Sequence, residues 1–125
     1  MEGELLDDHA FARLWVEDRL MHHPLSRYAV ERELAEKGIE DEVAQSALEE
    51  HYPPSKEKLI AAELAKRRIA KYSGLEKDNR IRRTVSFLTR RGFSVSVAKA
   101  TVLSIERSRE ADGGSKIQQP RDPYE

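Results

Sequence analysis

Leu34-Ala35-Glu36-Lys37-Gly38-Ile39-Glu40-Asp41-Glu42-Val43 and Leu88-Thr89-Arg90-Arg91-Gly92-Phe93-Ser94-Val95-Ser96-Val97 carry leucine, cation, glycine, an apolar residue and valine in the same order, at a constant offset of 54. Each stretch reads as the end of one helix and the start of the next. The leucine anchors the last turn, and the cation stands against the negative end of the helix dipole. Glycine takes the left-handed conformation that stops the helix, and the following apolar residue plugs the corner. One copy is a generic helix stop. Two copies in register point to a repeated structural unit.

Six helices follow from periodicity and stop signals around these two anchors. The first starts near Asp7 or Asp8, either of which can cap it, and runs to about Met21 with Ala10, Phe11, Leu14 and Trp15 on one side. Phe11 and Trp15 are assigned to the core. Pro24 closes that neighbourhood, Ser26 caps a second helix carrying Val30 and Leu34, and a third spans about Asp41–Glu50 with Val43, Ala47 and Leu48 inward. Pro53-Pro54 marks a boundary. Ser55 caps a fourth helix to about Tyr72, a fifth runs from near Asp78 to Arg91 on an Ile81/Val85/Leu88 stripe, and Ser94 caps a sixth bearing Ala98, Thr101, Val102 and Ile105. The expected architecture is all-α: tandem three-helix repeats, two triplets in an elongated array, over residues 7–52 and 55–108. Residues 111–125, with Gly113-Gly114, Pro120 and Pro123, are expected to form a disordered tail.

Composition suits slender helices with one buried stripe and a wide wet face, since hydrophobic residues make up 38% and charged residues 36% of 125. With no cysteine, disulfides and thiolate metal sites are excluded, in keeping with a cytoplasmic protein. The acidic N-terminus leads into no signal-length apolar core, and no stretch reaches the ~18 apolar residues of a membrane span. Four histidines without a ligand spacing give no reason to expect a metal. No phosphate loop, nucleophile elbow or Cys–His pairing is present, so neither catalysis nor a cofactor is expected.

The net charge of −1 hides a polarity, with −9 over residues 1–54 and +8 over 55–125. Lys66, Arg67, Arg68, Lys71, Arg80, Arg82, Arg83, Arg90 and Arg91 form the basic cluster. Arg83 and Arg90 point nearly opposite the Ile81/Val85/Leu88 stripe. Two readings stand: a solvated helix face, or guanidinium groups for phosphates or carboxylates of a partner. Phe87 lies off that stripe and is assigned to the interface between repeats.

Together with Asp7-Asp8-His9-Ala10-Phe11-Ala12-Arg13 and Trp15-Val16, the segment Leu34–Ile39 resembles the aromatic first helix and "KGI" helix end of the RecX family. Phe87-Leu88-Thr89-Arg90-Arg91-Gly92-Phe93-Ser94 is similar to that family's "fLxRRGFS" signature. The family usually carries three triplets, and these two match the second and third, the first being unmatched. The resemblance implies a monomeric, non-enzymatic regulator that binds the RecA–DNA filament and inhibits recombinase, ATPase and co-protease activity. That role would modulate DNA repair and the SOS response. The expected partner is the RecA filament, with single- or double-stranded DNA as a further one; Arg67, Arg68, Lys71, Arg80, Arg82, Arg83, Arg90 and Arg91 are the residues expected to meet either. A three-helix module that binds DNA directly is the other function open to this sequence.

Overall fold

Both glycines take the positive φ that the repeated motif requires, +86° at Gly38 and +98° at Gly92. At the first, Ile39 N–H donates to the Leu34 carbonyl (3.0 Å) and Gly38 N–H to that of Ala35 (3.0 Å). At the second, Phe93 N–H donates to Leu88 (3.1 Å) and Gly92 N–H to Thr89 (3.0 Å). These are paired Schellman closures, each satisfying carbonyls that a helix end leaves orphaned and each followed by a buried apolar residue.

The computed structural model describes residues 2–116, and the side chains of 7–112. It contains α1 (Glu2–His22), α2 (Arg27–Glu36), α3 (Asp41–His51), α4 (Pro54–Lys71), α5 (Lys77–Arg90) and α6 (Val95–Lys116). No strand occurs among the described residues. Ser26 Oγ accepts from Ala29 N–H (3.0 Å) at the start of α2, and Ser94 Oγ accepts from Val97 N–H (3.1 Å) at the start of α6. Helices α1–α3 enclose one apolar cluster, from Ala12 to Tyr52, and α4–α6 a second, from Ala61 to Val102, with Ile60 packed against both.

The repeat offset also aligns the buried cap residue after α3 with a buried polar residue inside α6. Tyr52 donates its hydroxyl to the Leu25 carbonyl (2.6 Å), just ahead of α2. Glu106, 54 positions later, accepts from Arg80 in α5. The last motif position diverges, however: Val43 is 4% exposed and Val97 45%. Val97 opens on a groove of about 840 Å³ bounded by Tyr28, Pro54, Lys58 and Phe93.

Several expectations are corrected. Helix α1 begins at Glu2, so Asp7 and Asp8 lie inside it and do not cap it. Its buried face is Ala12 and Val16, whereas Phe11 (39% exposed) and Leu14 (57%) look outward and Trp15 lies at the cluster edge. Azimuth explains this, since at about 100° per residue Ala12 and Val16 form a face distinct from the larger apolar side chains beside them. Helix α4 starts at Pro54, with Pro53 as the preceding cap residue; the fixed φ of proline suits the first helical position, and Ser55 falls inside. In α5 the buried set is Thr84, Phe87 and Leu88, while Ile81 and Val85 are half-buried. Thr84 can be buried because its hydroxyl donates to the Arg80 carbonyl (2.8 Å). Helix α6 continues through Ala111 to Lys116, past the point where the tail was expected to begin. No proline intervenes, and helical glycine costs only about 1 kcal/mol relative to alanine. The rest of the expected tail, 117–125, lies outside the described residues.

Candidate functional site

Eight cations were singled out from the sequence, and the fold sorts them into three groups. Arg80 turns inward: its side chain is 11% exposed against Glu106 at 2%. Its guanidinium forks onto that carboxylate (Nε–Oε2 2.6 Å, Nη2–Oε1 2.8 Å) and donates a third bond to the Leu75 carbonyl (3.0 Å). The hydrogen bond from Arg80 holds the Glu106 carboxyl below its ordinary range against the opposing effect of burial. Arg80 is therefore a structural cation that ties α5 to α6.

Arg68 and Arg91 form the second group. Their guanidinium carbons lie 4.0 and 4.8 Å from the centroid of the Phe87 ring. Phe87 itself is buried in the cluster of α4–α6. The crossing to the first triplet is made by Arg91, whose Nη1 donates to the Pro24 carbonyl (2.8 Å) and whose own carbonyl accepts from Ser26 N–H (2.9 Å). Burial, and then the neighbouring charge of Arg68, pull the Arg91 guanidinium below its usual range. The first triplet uses the same device with different residues, for Lys37 and Arg19 lie over the Trp15 ring at 4.5 and 5.0 Å. The cation before each stop glycine thus rests on an aromatic ring as well as beside a helix end.

Arg67, Lys71, Arg82, Arg83 and Arg90 are exposed. Arg67 meets Glu63 at 3.3 Å across one helical turn, and Arg90 donates to Ser86 Oγ (2.7 Å). Arg83 lies over the Tyr72 ring (5.9 Å) on the α4 side of α5, whereas Arg82 lines a cleft with Lys99 and Leu103 on the α6 side. Arg68, Lys71 and Arg83 converge on Tyr72; Arg80 and Arg82 do not join them. The Arg68 hydrogen bond holds the Tyr72 phenol below its ordinary range, with Lys71 and Arg83 acting in the same direction. Sequence reading passed over Tyr72 because it is the residue that ends α4. Its position one helical turn beyond Arg68 was the available signal.

The joint between triplets is polar and close. Across it, Arg27 N–H at the start of α2 donates to Glu57 Oε2 (2.9 Å) from the first turn of α4, while within the first triplet Arg27 Nε donates to the Tyr52 carbonyl (2.7 Å). Gly92 is pressed on α2: a Cβ there would stand 2.5 Å from Ser26 Oγ and 2.7 Å from Ala29 Cβ. At Gly38 the same construction meets nothing within 4 Å. Among the described residues, no cluster of three or more histidines or carboxylates is placed to hold a metal ion, and no helix is long and apolar enough to cross a membrane.

These features define an all-helical protein of tandem three-helix units, with a cation-rich face on the second. Comparison with known proteins agrees. A family model described as "RecX, second three-helix domain" matches residues 7–48, and one described as "RecX, third three-helix domain" matches 60–102. Relatives named Regulatory protein RecX include those of Amycolatopsis mediterranei, 36% identical over 78% of this chain and 55% of the relative, and Streptomyces coelicolor, 36% identical over 81% and 53%. That of Thermobifida fusca is 33% identical over 78% of this chain and 52% of its own length. The chain belongs to the RecX family. It spans about half the length of these curated relatives. No solved structure matches it.

Proposed function

We propose that this protein is a cytoplasmic, monomeric, non-enzymatic regulator that docks on the RecA–DNA filament and inhibits its recombinase, ATPase and co-protease activities. That inhibition would modulate DNA repair and the SOS response. Two units, 7–52 and 55–108, act together, with the α4–α5 face toward the filament. The observation that carries this reading is the convergence of Arg68, Lys71 and Arg83 around Tyr72, with Arg90 exposed on the same helix as Arg83. Arg80 is left out, because Glu106 already neutralises it. Family membership supports the regulatory role, since the relatives bear the name Regulatory protein RecX.

The test is RecA-dependent ATP turnover on single-stranded DNA. Micromolar protein is expected to slow it, and Arg83→Glu/Arg90→Glu to relieve the inhibition. Unchanged turnover with the unaltered protein would refute the proposal. Direct DNA recognition is the second reading, favoured by the same exposed cations. It requires tight binding without RecA and a steep dependence on salt.

A further inference from the structure

The α5–α6 side of the second triplet carries an open cleft of about 560 Å³ lined by Asp78, Ile81, Arg82, Val85, Lys99 and Leu103. Ile81 and Val85 pack inward on the second cluster and leave their outer edges to the cleft, and Leu103 is exposed. Val95 and Arg107, both exposed, extend the row of Lys99 and Leu103 along α6 at intervals of four, over about 18 Å. No carboxylate among the described residues forms an ion pair with Arg82, Lys99 or Arg107. The one acid lining the cleft, Asp78, stands in the first turn of α5, where the helix dipole favours it. The first triplet supplies an internal control on the same backbone. At the offset of 54, Glu31, Asp41, Gln45 and Glu49 stand where the second triplet has Val85, Val95, Lys99 and Leu103. That face is acidic and closed on itself, with Gln45 Nε2 donating to Glu31 Oε2 (2.7 Å). The three-helix unit therefore does not require apolar and cationic residues at these positions.

We propose that the α5–α6 cleft is a docking site for an amphipathic helix of a protein partner, with apolar residues seated on Ile81, Val85 and Leu103 and carboxylates meeting Arg82, Lys99 and Arg107. The cleft lies on the α6 side of α5 and Tyr72 on the α4 side, so the proposal goes beyond the α4–α5 docking face and does not rest on it. Two helices side by side leave a groove that the side-chain ridge of a third can fill. The apolar floor supplies the burial, and the unpaired cations on the rim select an acidic partner. A nucleic-acid backbone fits poorly. The floor is aliphatic, offers no ring for a base to stack on, and would strip water from a phosphate.

The test selects binders of the full chain from a displayed library of random peptides about 16 residues long, enough to span the row on α6 as a helix. Enrichment of sequences with apolar residues at helical spacing and flanking Asp or Glu is expected, and a selected peptide should gain helical circular dichroism on binding. Lys99→Gln/Leu103→Glu installs what the first triplet carries at Gln45 and Glu49, so the same positions of an intact unit accept both residues. That variant is expected to bind the selected peptide about tenfold more weakly, while Arg32→Gln, beside Glu36 on the first triplet, keeps the affinity. No enrichment, enrichment of basic peptides, or acidic peptides that bind Lys99→Gln/Leu103→Glu as well as the unaltered chain would overturn the site. So would weakened oligothymidylate binding in that variant with no selected peptide depending on the cleft, which assigns the cations to nucleic acid. Self-association of the unaltered chain that the variant abolishes would seat a second copy in the cleft, and the proposal falls equally. RecA inhibition and its relief by Arg83→Glu/Arg90→Glu are read separately from all of these outcomes.

Discussion

Replacing each stop glycine by alanine separates what the repeated motif requires locally from what the joint requires. Gly38→Ala places a Cβ in open space at φ +86°. Its cost is the left-handed strain of an L residue, about 1–2 kcal/mol, reduced by the smaller unfolded-state entropy of alanine, about 0.4–1 kcal/mol. Gly92→Ala carries the same strain at φ +98° and adds a Cβ 2.5 Å from Ser26 Oγ and 2.7 Å from Ala29 Cβ. Neither neighbour can yield freely, because Ser26 Oγ caps α2 and Ala29 sits in its first turn. Overpacking of this kind costs about 1–3 kcal/mol, and disturbing the cap about 1 kcal/mol more. Gly92→Ala is thus expected to destabilise by about 2–4 kcal/mol beyond Gly38→Ala. Urea denaturation followed by far-UV circular dichroism measures both, and the fluorescence of Trp15, the only tryptophan, follows the first triplet. With m of about 1–3 kcal/mol/M, the two midpoints should differ by about 1 M or more. Ser26→Ala in the Gly92→Ala background removes the closest contact, so the double variant should be less destabilised than the sum of the singles. Equal costs for the two glycine variants, or strict additivity with Ser26→Ala, would refute a close joint.

Glu106→Gln strips the charge from the interior partner of Arg80 and is expected to cost about 3–5 kcal/mol at neutral pH in urea denaturation. The folded-state Glu106 carboxyl lies below its ordinary 4.5, so its contribution is complete above that value and fades as pH falls through the depressed one. Stability of Glu106→Gln should accordingly fall less between neutral and acidic pH than that of the unaltered chain; parallel profiles would count against the pair. Tyr52→Phe leaves the Leu25 carbonyl without its 2.6 Å donor and should cost about 1–3 kcal/mol, seen as a lowered thermal midpoint. Burial raises the Tyr52 phenol and the Arg68 hydrogen bond lowers that of Tyr72, so ultraviolet titration should show Tyr52 ionising after Tyr72. Arg80→Gln should behave as a stability variant, with less effect on RecA inhibition per folded molecule than Arg83→Glu/Arg90→Glu, which turnover normalised to folded fraction would check.

Which features were legible in the chain follows from the range of the forces involved. The stops at Gly38 and Gly92, the cap at Ser26 and the inward Val30, Leu34, Val43 and Leu48 depend on neighbours within a few residues, and their spacing shows them. The orientation of α5 does not work that way. Its sequence offers two overlapping faces, Ile81/Val85/Leu88 and Thr84/Phe87/Leu88, and packing against α4 and α6 selects the second. That rotation carries Phe87 into the core, turns Arg80 onto Glu106 and leaves Arg83 beside Tyr72. Phe11 and Leu14 were misplaced for a similar reason, since the smaller Ala12 and Val16 fit the face toward the first cluster.

The sequence by itself determined a doubled three-helix unit, its helix stops and a basic second half, because backbone stereochemistry and hydrophobic period act over one or two turns. Only the tertiary structure decided which cations are neutralised, which rest on Phe87 and how tightly Gly92 meets Ser26. Those outcomes depend on azimuth and on partners 26 to 67 residues away in the chain. No local pattern encodes them.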